Sequence, residues 1–293
     1  MLTHRDQQPQ AARRIVIVGA RGFVGASLIA HCERSGTPFL AVGRTDFDLA
    51  ADGAADRLAA VLDSEDTLIL LSAITPDKGR GVPALLSNLQ MGANVCAALE
   101  RKPIRHVIYF SSDAVYPFTS ALINEESCAE AQDLYATMHL TRELMLKQGP
   151  VKSLAILRPT LIYGAADTHN SYGPNRLRRM AHKQKRITLF GEGEETRDHI
   201  YIDDVVSLTD LVVRHGSVGT LNLASGRSVS FAELAKMVGG LFAKPVEIAG
   251  MPRQSPITHR SFDITAIYRA FPEFQFTPLE RGLAIAHEND RIT

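Results

Sequence analysis

The sequence predicts an α/β fold, a doubly wound parallel sheet joined to a smaller C-terminal α/β lobe. Two observations carry this. Short β-forming runs at 15–18, 38–42, 67–71, 106–110 and 153–157 alternate with longer helical stretches. That alternation builds a parallel sheet with right-handed crossovers and helices on both faces. Beyond about residue 163 the pattern changes to longer loops and shorter elements. The division read from this is a frayed polar tail over 1–13, a first domain over 14–162, and a lobe over 163–293.

The first strand, Ile15-Val16-Ile17-Val18, runs into Gly19-Ala20-Arg21-Gly22-Phe23-Val24-Gly25 and then a helix. Strand, glycine turn and helix are the context a dinucleotide-binding loop requires. Gly19 permits the sharp turn, Gly22 lets backbone approach a pyrophosphate, and Gly25 lets the helix pack on the sheet. The phosphates then sit at the positive end of that helix. Ser35-Gly36 stops the helix, and 38–42 forms the second strand, ending at Gly43-Arg44. About 20 residues past such a loop a carboxylate often holds the adenosine ribose. Here Gly43 and Arg44 occupy that place. Together with Arg21 they favour NADP over NAD, because a guanidinium forks onto phosphate oxygens where an acid would repel them.

A crossover helix over 52–62 leads to the third strand, 67–71, which closes with Ser72-Ala73. Pro83 opens a long helix to Arg101, at a first-turn position where its missing N–H costs nothing. The strand 106–110 empties into Ser111-Ser112-Asp113-Ala114-Val115-Tyr116, polar residues at the carboxyl end of a sheet strand, where open α/β sheets bind ligands. A second long helix over 129–147 carries Tyr135, and 153–157 leads into Arg158-Pro159. In the later lobe, Gly173-Pro174-Asn175 precedes a basic helix at 176–185, read as a solvated face. Strands at 187–190 and 220–224 flank a helix from Asp203-Asp204 to His215, and Ser230 with Glu233 forms a capping box.

Composition excludes several classes of function. Lys plus Arg and Asp plus Glu both total 32, so the formal charge is zero and neither nucleic acid nor an acidic membrane is an expected partner. Cys32, Cys96 and Cys128 are too few and scattered for a disulfide framework or a cysteine-based metal site, which fits a reducing cytoplasm. No apolar run in the sequence reads as a membrane span, and the ten histidines show no metal spacing.

With these pieces in place the chain resembles the extended short-chain dehydrogenase/reductase family, specifically its nucleotide-sugar epimerase, dehydratase and reductase group. Beyond the glycine loop, the likeness covers Ser111 to Tyr116, Tyr135, Arg158-Pro159 with Tyr163-Gly164, Leu189 to Gly193, Arg197 to Asp204, and Asn222 to Gly226. It implies a Rossmann-type first domain holding NADP, less readily NAD, and a later lobe holding a nucleoside diphosphate sugar. On that pattern Gly19, Arg21, Gly22, Phe23, Val24 and Gly25 cradle the cofactor, with Arg44, Ser72, Ala73, Thr75, Tyr135, His139 and Pro159 completing its site. Ser112, Asp113, Asn175 and Arg197 are implied to meet the substrate. Tyr135 is the implied general acid or base, with Ser112 bonded to the same substrate oxygen.

The chain departs from the family at one catalytic position. The family has Tyr-x-x-x-Lys; here Tyr135 is followed at i+4 by His139. A histidine is largely neutral at pH 7, so it is expected to donate a hydrogen bond to the nicotinamide ribose while lending less charge to Tyr135. His139→Lys is then expected to retain or raise turnover, and Tyr135→Phe to abolish it. Dehydratases of the family carry Asp-Glu after the catalytic Ser or Thr, whereas this chain has Asp113-Ala114. The expectation is NADPH-dependent reduction of a 4-keto sugar; the alternatives are an NAD-dependent epimerase or a member that binds nucleotides without turnover. The resemblance also implies a homodimer through the helices at 83–101 and 129–147, with Leu85, Leu86, Leu89, Leu134, Met138 and Met145 as apolar candidates. Base and sugar identity rest on the loops 74–82, 117–128 and 164–175.

Overall fold

The computed structural model describes residues 2–118, 121–167 and 173–289. Parts of two specificity loops, 119–120 and 168–172, therefore lie outside the described residues. The chain opens with β1 (Ile15–Val18), four β-branched residues buried throughout, and α1 (Phe23–Ser35) follows the glycine turn. The alternation continues through β2 (Phe39–Val42), α2 (Ala54–Val61), β3 (Thr67–Leu70), α3 (Val82–Arg101) and β4 (His106–Phe110). A short β5 (Leu122–Ile123) precedes α4 (Leu134–Gln148) and β6 (Leu154–Pro159). The remainder contributes β7 (Leu161–Tyr163), α5 (Pro174–Gln184), β8 (Arg186–Phe190), β9 (Thr196–Tyr201), α6 (Ile202–Arg214), β10 (Gly219–Leu223) and β11 (Ser228–Ser230). It ends with α7 (Phe231–Gly239), β12 (Glu247–Met251), β13 (Ser261–Phe262), α8 (Thr265–Ala270) and α9 (Leu279–Asn289).

Six strands form the central sheet in the order β10-β6-β4-β3-β1-β2, every neighbouring pair parallel. Both faces are covered, so the strands read as unbroken apolar runs. Strand alternation assigns the two cores. Ile15 and Ile17 join Leu28 of α1 and Val205, Leu208 and Val212 of α6. Val16 and Val18 join Leu58 of α2 and Val95 and Leu99 of α3. The chain leaves β1 toward β2 on one side and later reaches β3 on the other. The crevice above this reversal is where doubly wound sheets bind ligands.

The boundary near residue 163 is crossed again downstream, because α6 returns to pack on α1 and β10 adds the outermost strand beside β6. The later region also builds its own small sheets, β11-β9-β7 and β12-β8, while β13 pairs with β5. α4 begins later than the sequence pattern suggests, because the Asp133 side chain caps it, accepting from the Ala136 N–H at 2.8 Å. The Ser230–Glu233 capping box forms as expected.

The N-terminal segment differs from a frayed tail. Thr3 bridges Val218, the His4 Nδ1 lies 2.8 Å from the Ser217 hydroxyl, and its ring stacks on His215 at 4.5 Å. The reason is local: the chain running into edge strand β10 offers backbone groups that the tail satisfies. α3 is long and apolar enough by composition to cross a membrane, which the sequence reading did not register. It packs between α2 and α4, burying Asn88, Gly92, Val95, Ala98 and Leu99.

Candidate active site

The glycine loop is built for close backbone approach. Gly19 has φ +101°, and a Cβ there would lie 2.9 Å from the Ser72 backbone nitrogen, so the loops leaving β1 and β3 touch. A Cβ on Gly25 would collide with the Gly19 carbonyl oxygen and sit 2.9 Å from the Ala20 Cα. α1 starts at Gly22 with no side-chain cap and no acid in its first turn. Its first N–H groups are thus free of any capping side chain, the arrangement that receives a phosphate. Phe23 turns toward Gly164, where a Cβ would come within 2.9 Å of its ring.

At the end of β2 the two expected arginines behave differently. Arg21 lies over Gly43, its Cγ and Nε each 3.5 Å from where a Cβ would stand. Arg44 points into solvent, 87% exposed, and pairs with Asp48 at 3.3 Å. A carboxylate is present after all: Asp46 accepts from the Gly43 N–H at 2.7 Å. Sequence reasoning passed over Asp46 because it stands three residues beyond the expected position, in a turn that folds it back.

Ser72, Ala73 and Thr75 follow β3 as half-buried residues, with Thr75 donating to Asp77 at 2.5 Å. The loop is pinned by Asn88 of α3, which both accepts from the Ile74 N–H and donates to its carbonyl. Pro159 is different in kind. It is buried in β6 opposite Leu223, a wall residue of the sheet and not an open contact.

Beyond β4, Ser112 caps a short helical turn at Asp113–Val115 and accepts from the Ala114 N–H at 3.1 Å. Its neighbour Ser111 donates to Glu143 at 2.7 Å. Glu143 also takes a two-pronged bond from Arg158, at 2.9 and 2.6 Å, and Arg158 donates on to the Tyr116 hydroxyl, which donates to Asn222. Burial alone would raise the Glu143 carboxyl, but Arg158 and Ser111 outweigh it and hold it below the usual carboxylate range. This buried network ties β4, α4, β6 and β10 together beneath the site.

Tyr135 is half-buried on α4, and its ring meets His139 edge-on at 4.6 Å. His139 is not placed as a ribose donor. It is 2% exposed, its Nδ1 bonds the Tyr109 hydroxyl at 2.7 Å, and its Nε2 is buried without a hydrogen-bond partner. Burial, with Arg142 beside it, pushes the imidazole down to about 3, so the ring is neutral. The physical reason is depth: position 139 faces the sheet under α4.

In the later lobe, Arg197 donates to the Thr196 and Thr258 carbonyls and the Thr258 hydroxyl, and lies 4.7 Å from the Phe118 ring centre. Arg260, which the sequence reading missed, stands over the same ring at 4.3 Å and pairs with Asp113 at 3.0 Å. Asp113 is therefore engaged by the protein itself and does not offer the substrate an open carboxylate. Asn175 is buried and donates to Asp167. The basic helix is not simply a solvated face, since Arg178 is fully buried. Met138 likewise lies in the subunit's own core, whereas Leu86 and Leu134 remain exposed.

The family model described as "NAD dependent epimerase/dehydratase family" matches residues 15–224. This chain belongs to that family. Its members are enzymes of the extended short-chain dehydrogenase/reductase kind. A curated relative, dTDP-4-dehydro-6-deoxy-D-allose reductase of Streptomyces bikiniensis, is 24% identical over 93% of this chain and 94% of its own length. Among solved structures, MoeE5 in complex with UDP-glucose and NAD has a TM-score of 0.81 and 23% identity, covering 95% of this chain and 98% of that one. RMD from Pseudomonas aeruginosa complexed with NADPH also scores 0.81, at 20% identity, covering 96% of this chain and 98% of the other. These solved structures share the fold of this chain.

Proposed function

We propose that the protein is a nucleotide-sugar oxidoreductase that uses NADPH to reduce a 4-keto sugar. The observation that carries the cofactor preference is Arg21 lying against Gly43, which sets a cation at the rim of the adenosine-ribose position. Asp46 at the Gly43 N–H favours the second reading, an NAD-dependent epimerase, since a carboxylate there suits a free 2′-hydroxyl. One relative is named as the reductase of a dTDP-linked keto sugar and MoeE5 holds UDP-glucose, which supports that substrate class.

The glycine loop and the open N-terminus of α1 fit a pyrophosphate, and Ser72 and Ala73 lie beside it. When bound, the nicotinamide supplies the hydride. Tyr135 gives its phenolic proton to the sugar oxygen, and the Ser112 hydroxyl bonds that same oxygen to orient it. Arg197, with Arg260 across Phe118, is positioned to attract the diphosphate. Dehydration is disfavoured because Ala114 brings no acid and Asp113 is held by Arg260. The exposed Val82, Leu86, Leu134 and Leu144 on α3 and α4 support pairing of two copies through those helices. The test is Tyr135→Phe in an assay of NADPH consumption with 4-keto-6-deoxy sugar nucleotides. Turnover is expected to fall about 100-fold or more, and an unchanged rate would remove Tyr135 from the chemistry.

A further inference from the structure

We propose that Arg142 supplies, from inside the protein, the fixed positive charge that favours the deprotonated Tyr135 side chain, in place of a cation at position 139. The inference rests on the reading of Tyr135 as the acid–base residue. Arg142 is on α4, one turn beyond His139 on the same face, and is 1% exposed. Its Nη1 donates to the Ser72 carbonyl at 2.8 Å, next to the glycine loop, while Nε and Nη2 are buried without hydrogen-bond partners. The guanidinium lies 5.1 Å from the Tyr109 ring centre, and Tyr109 in turn holds His139, whose ring meets Tyr135. Arg142, Tyr109, His139 and Tyr135 thus form one continuous packed chain.

Nothing among the described residues neutralises this cation. The adjacent carboxylate, Glu143, is bound by Arg158 and Ser111, with Lys147 at 3.4 Å. From α3, Cys96 faces it as a thiol that burial pushes up, and from β4, Tyr109 is pushed up by burial to about 12, so both stay protonated and neutral. The Glu143–Arg158 pair contributes no net charge, and His139 is neutral. Burying a guanidinium with two nitrogens unbonded is expensive, so packing alone does not account for it. The fold nevertheless makes room: a Cβ on Gly92 of α3 would stand 3.2 Å from the Arg142 Cγ. An arginine also keeps its proton at every working pH, so its field is constant.

Arg142 is 1% exposed and acts through this field, which makes it a positioning residue. Seven residues of helix separate it from Tyr135, about 10 Å at the usual rise. At an effective dielectric near 20, a unit charge at that distance moves a titration by about one pH unit. The test uses the full-length, ligand-free protein labelled with 13C-tyrosine, the Tyr135 signal being assigned by its loss in Tyr135→Phe. The signal is titrated in wild type, Arg142→Met and Arg142→Gln, with thermal unfolding run in parallel. Arg142→Met and Arg142→Gln, which both remove the charge, are each expected to raise the Tyr135 midpoint by about one pH unit. A midpoint unmoved by both substitutions would overturn the proposal. Should Arg142→Met unfold within the titration range, Arg142→Gln carries the same comparison. Turnover that survives Tyr135→Phe would instead sink the reading of Tyr135 and leave the titration result standing.

Discussion

A lysine at position 139 would set an ammonium beside Arg142 in a pocket that holds no free carboxylate among the described residues. Residues three apart on a helix face lie about 6 Å apart, and two like charges at that distance repel by about 3 kcal/mol at an effective dielectric of 20. His139→Lys also removes the bond to the Tyr109 hydroxyl, worth about 1 kcal/mol. Spread over the unfolding entropy of 293 residues, a loss of about 4 kcal/mol lowers Tm by about 6 °C. The decisive assay is a double-mutant cycle in thermal or urea unfolding: wild type, His139→Lys, Arg142→Met and the double variant. Removing Arg142 first eliminates the repulsion, so His139→Lys is expected to cost about 3 kcal/mol less in that background, and that difference is the coupling the cycle reads. Additivity within about 0.5 kcal/mol would refute the account of this pocket. On this account the lysine expected to retain or raise turnover costs the fold less stability once Arg142 is gone.

Three further outcomes follow from the geometry. Gly25→Ala presses a methyl group into the backbone at Gly19 and Ala20, and is expected to cost about 1–3 kcal/mol and to abolish NADPH binding measured by calorimetry. Gly36→Ala, at φ +68° with open space around it, should lose only stability; equal affinity in both variants would contradict the cradle. Acidification should destabilise the fold, because burial holds His106 near 4 and His139 and His199 near 3. Their folded values lie below the ordinary one, so the stability they contribute is full above about pH 6.5 and is lost as pH falls. By pH 5 each has given up about 2 kcal/mol. Asp198, pushed up by burial to about 6, returns about 1 kcal/mol over the same range, and a Tm that stays level from pH 7 to 5 would refute the assignment. Arg21→Ala should weaken NADPH binding about tenfold or more with NADH little changed; equal loss for both would detach Arg21 from the 2′-phosphate.

The central sheet was legible because its strands are buried on both faces and so stand out as short apolar runs such as Ile15–Val18. The glycine turn was legible for a related reason, since each glycine answers a local steric demand. What escaped were features set by distant partners. β7 and β11 are three residues each and pair with β9 across long separations, and no local pattern marks those pairings. Asp113 looked like a substrate ligand, yet it meets Arg260 from 147 residues away. Arg178 carries a charge that read as solvent-facing along a helix, and only tertiary packing places it inside; Arg142, which no motif singled out, is buried in the same way. His139 was recognised as a departure, but its consequence depends on Tyr109 and Arg142, neither of which the motif contains.

The most direct test is to incubate the purified protein with NADPH and, separately, dTDP- and GDP-linked 4-keto-6-deoxy sugars, following both the reduced nicotinamide and the sugar product. The account predicts NADPH loss matched one-to-one by a new sugar hydroxyl, faster than with NADH and absent in Tyr135→Phe. Interconversion of sugar epimers without net consumption of NADPH, or binding of these sugars with no turnover, would contradict it.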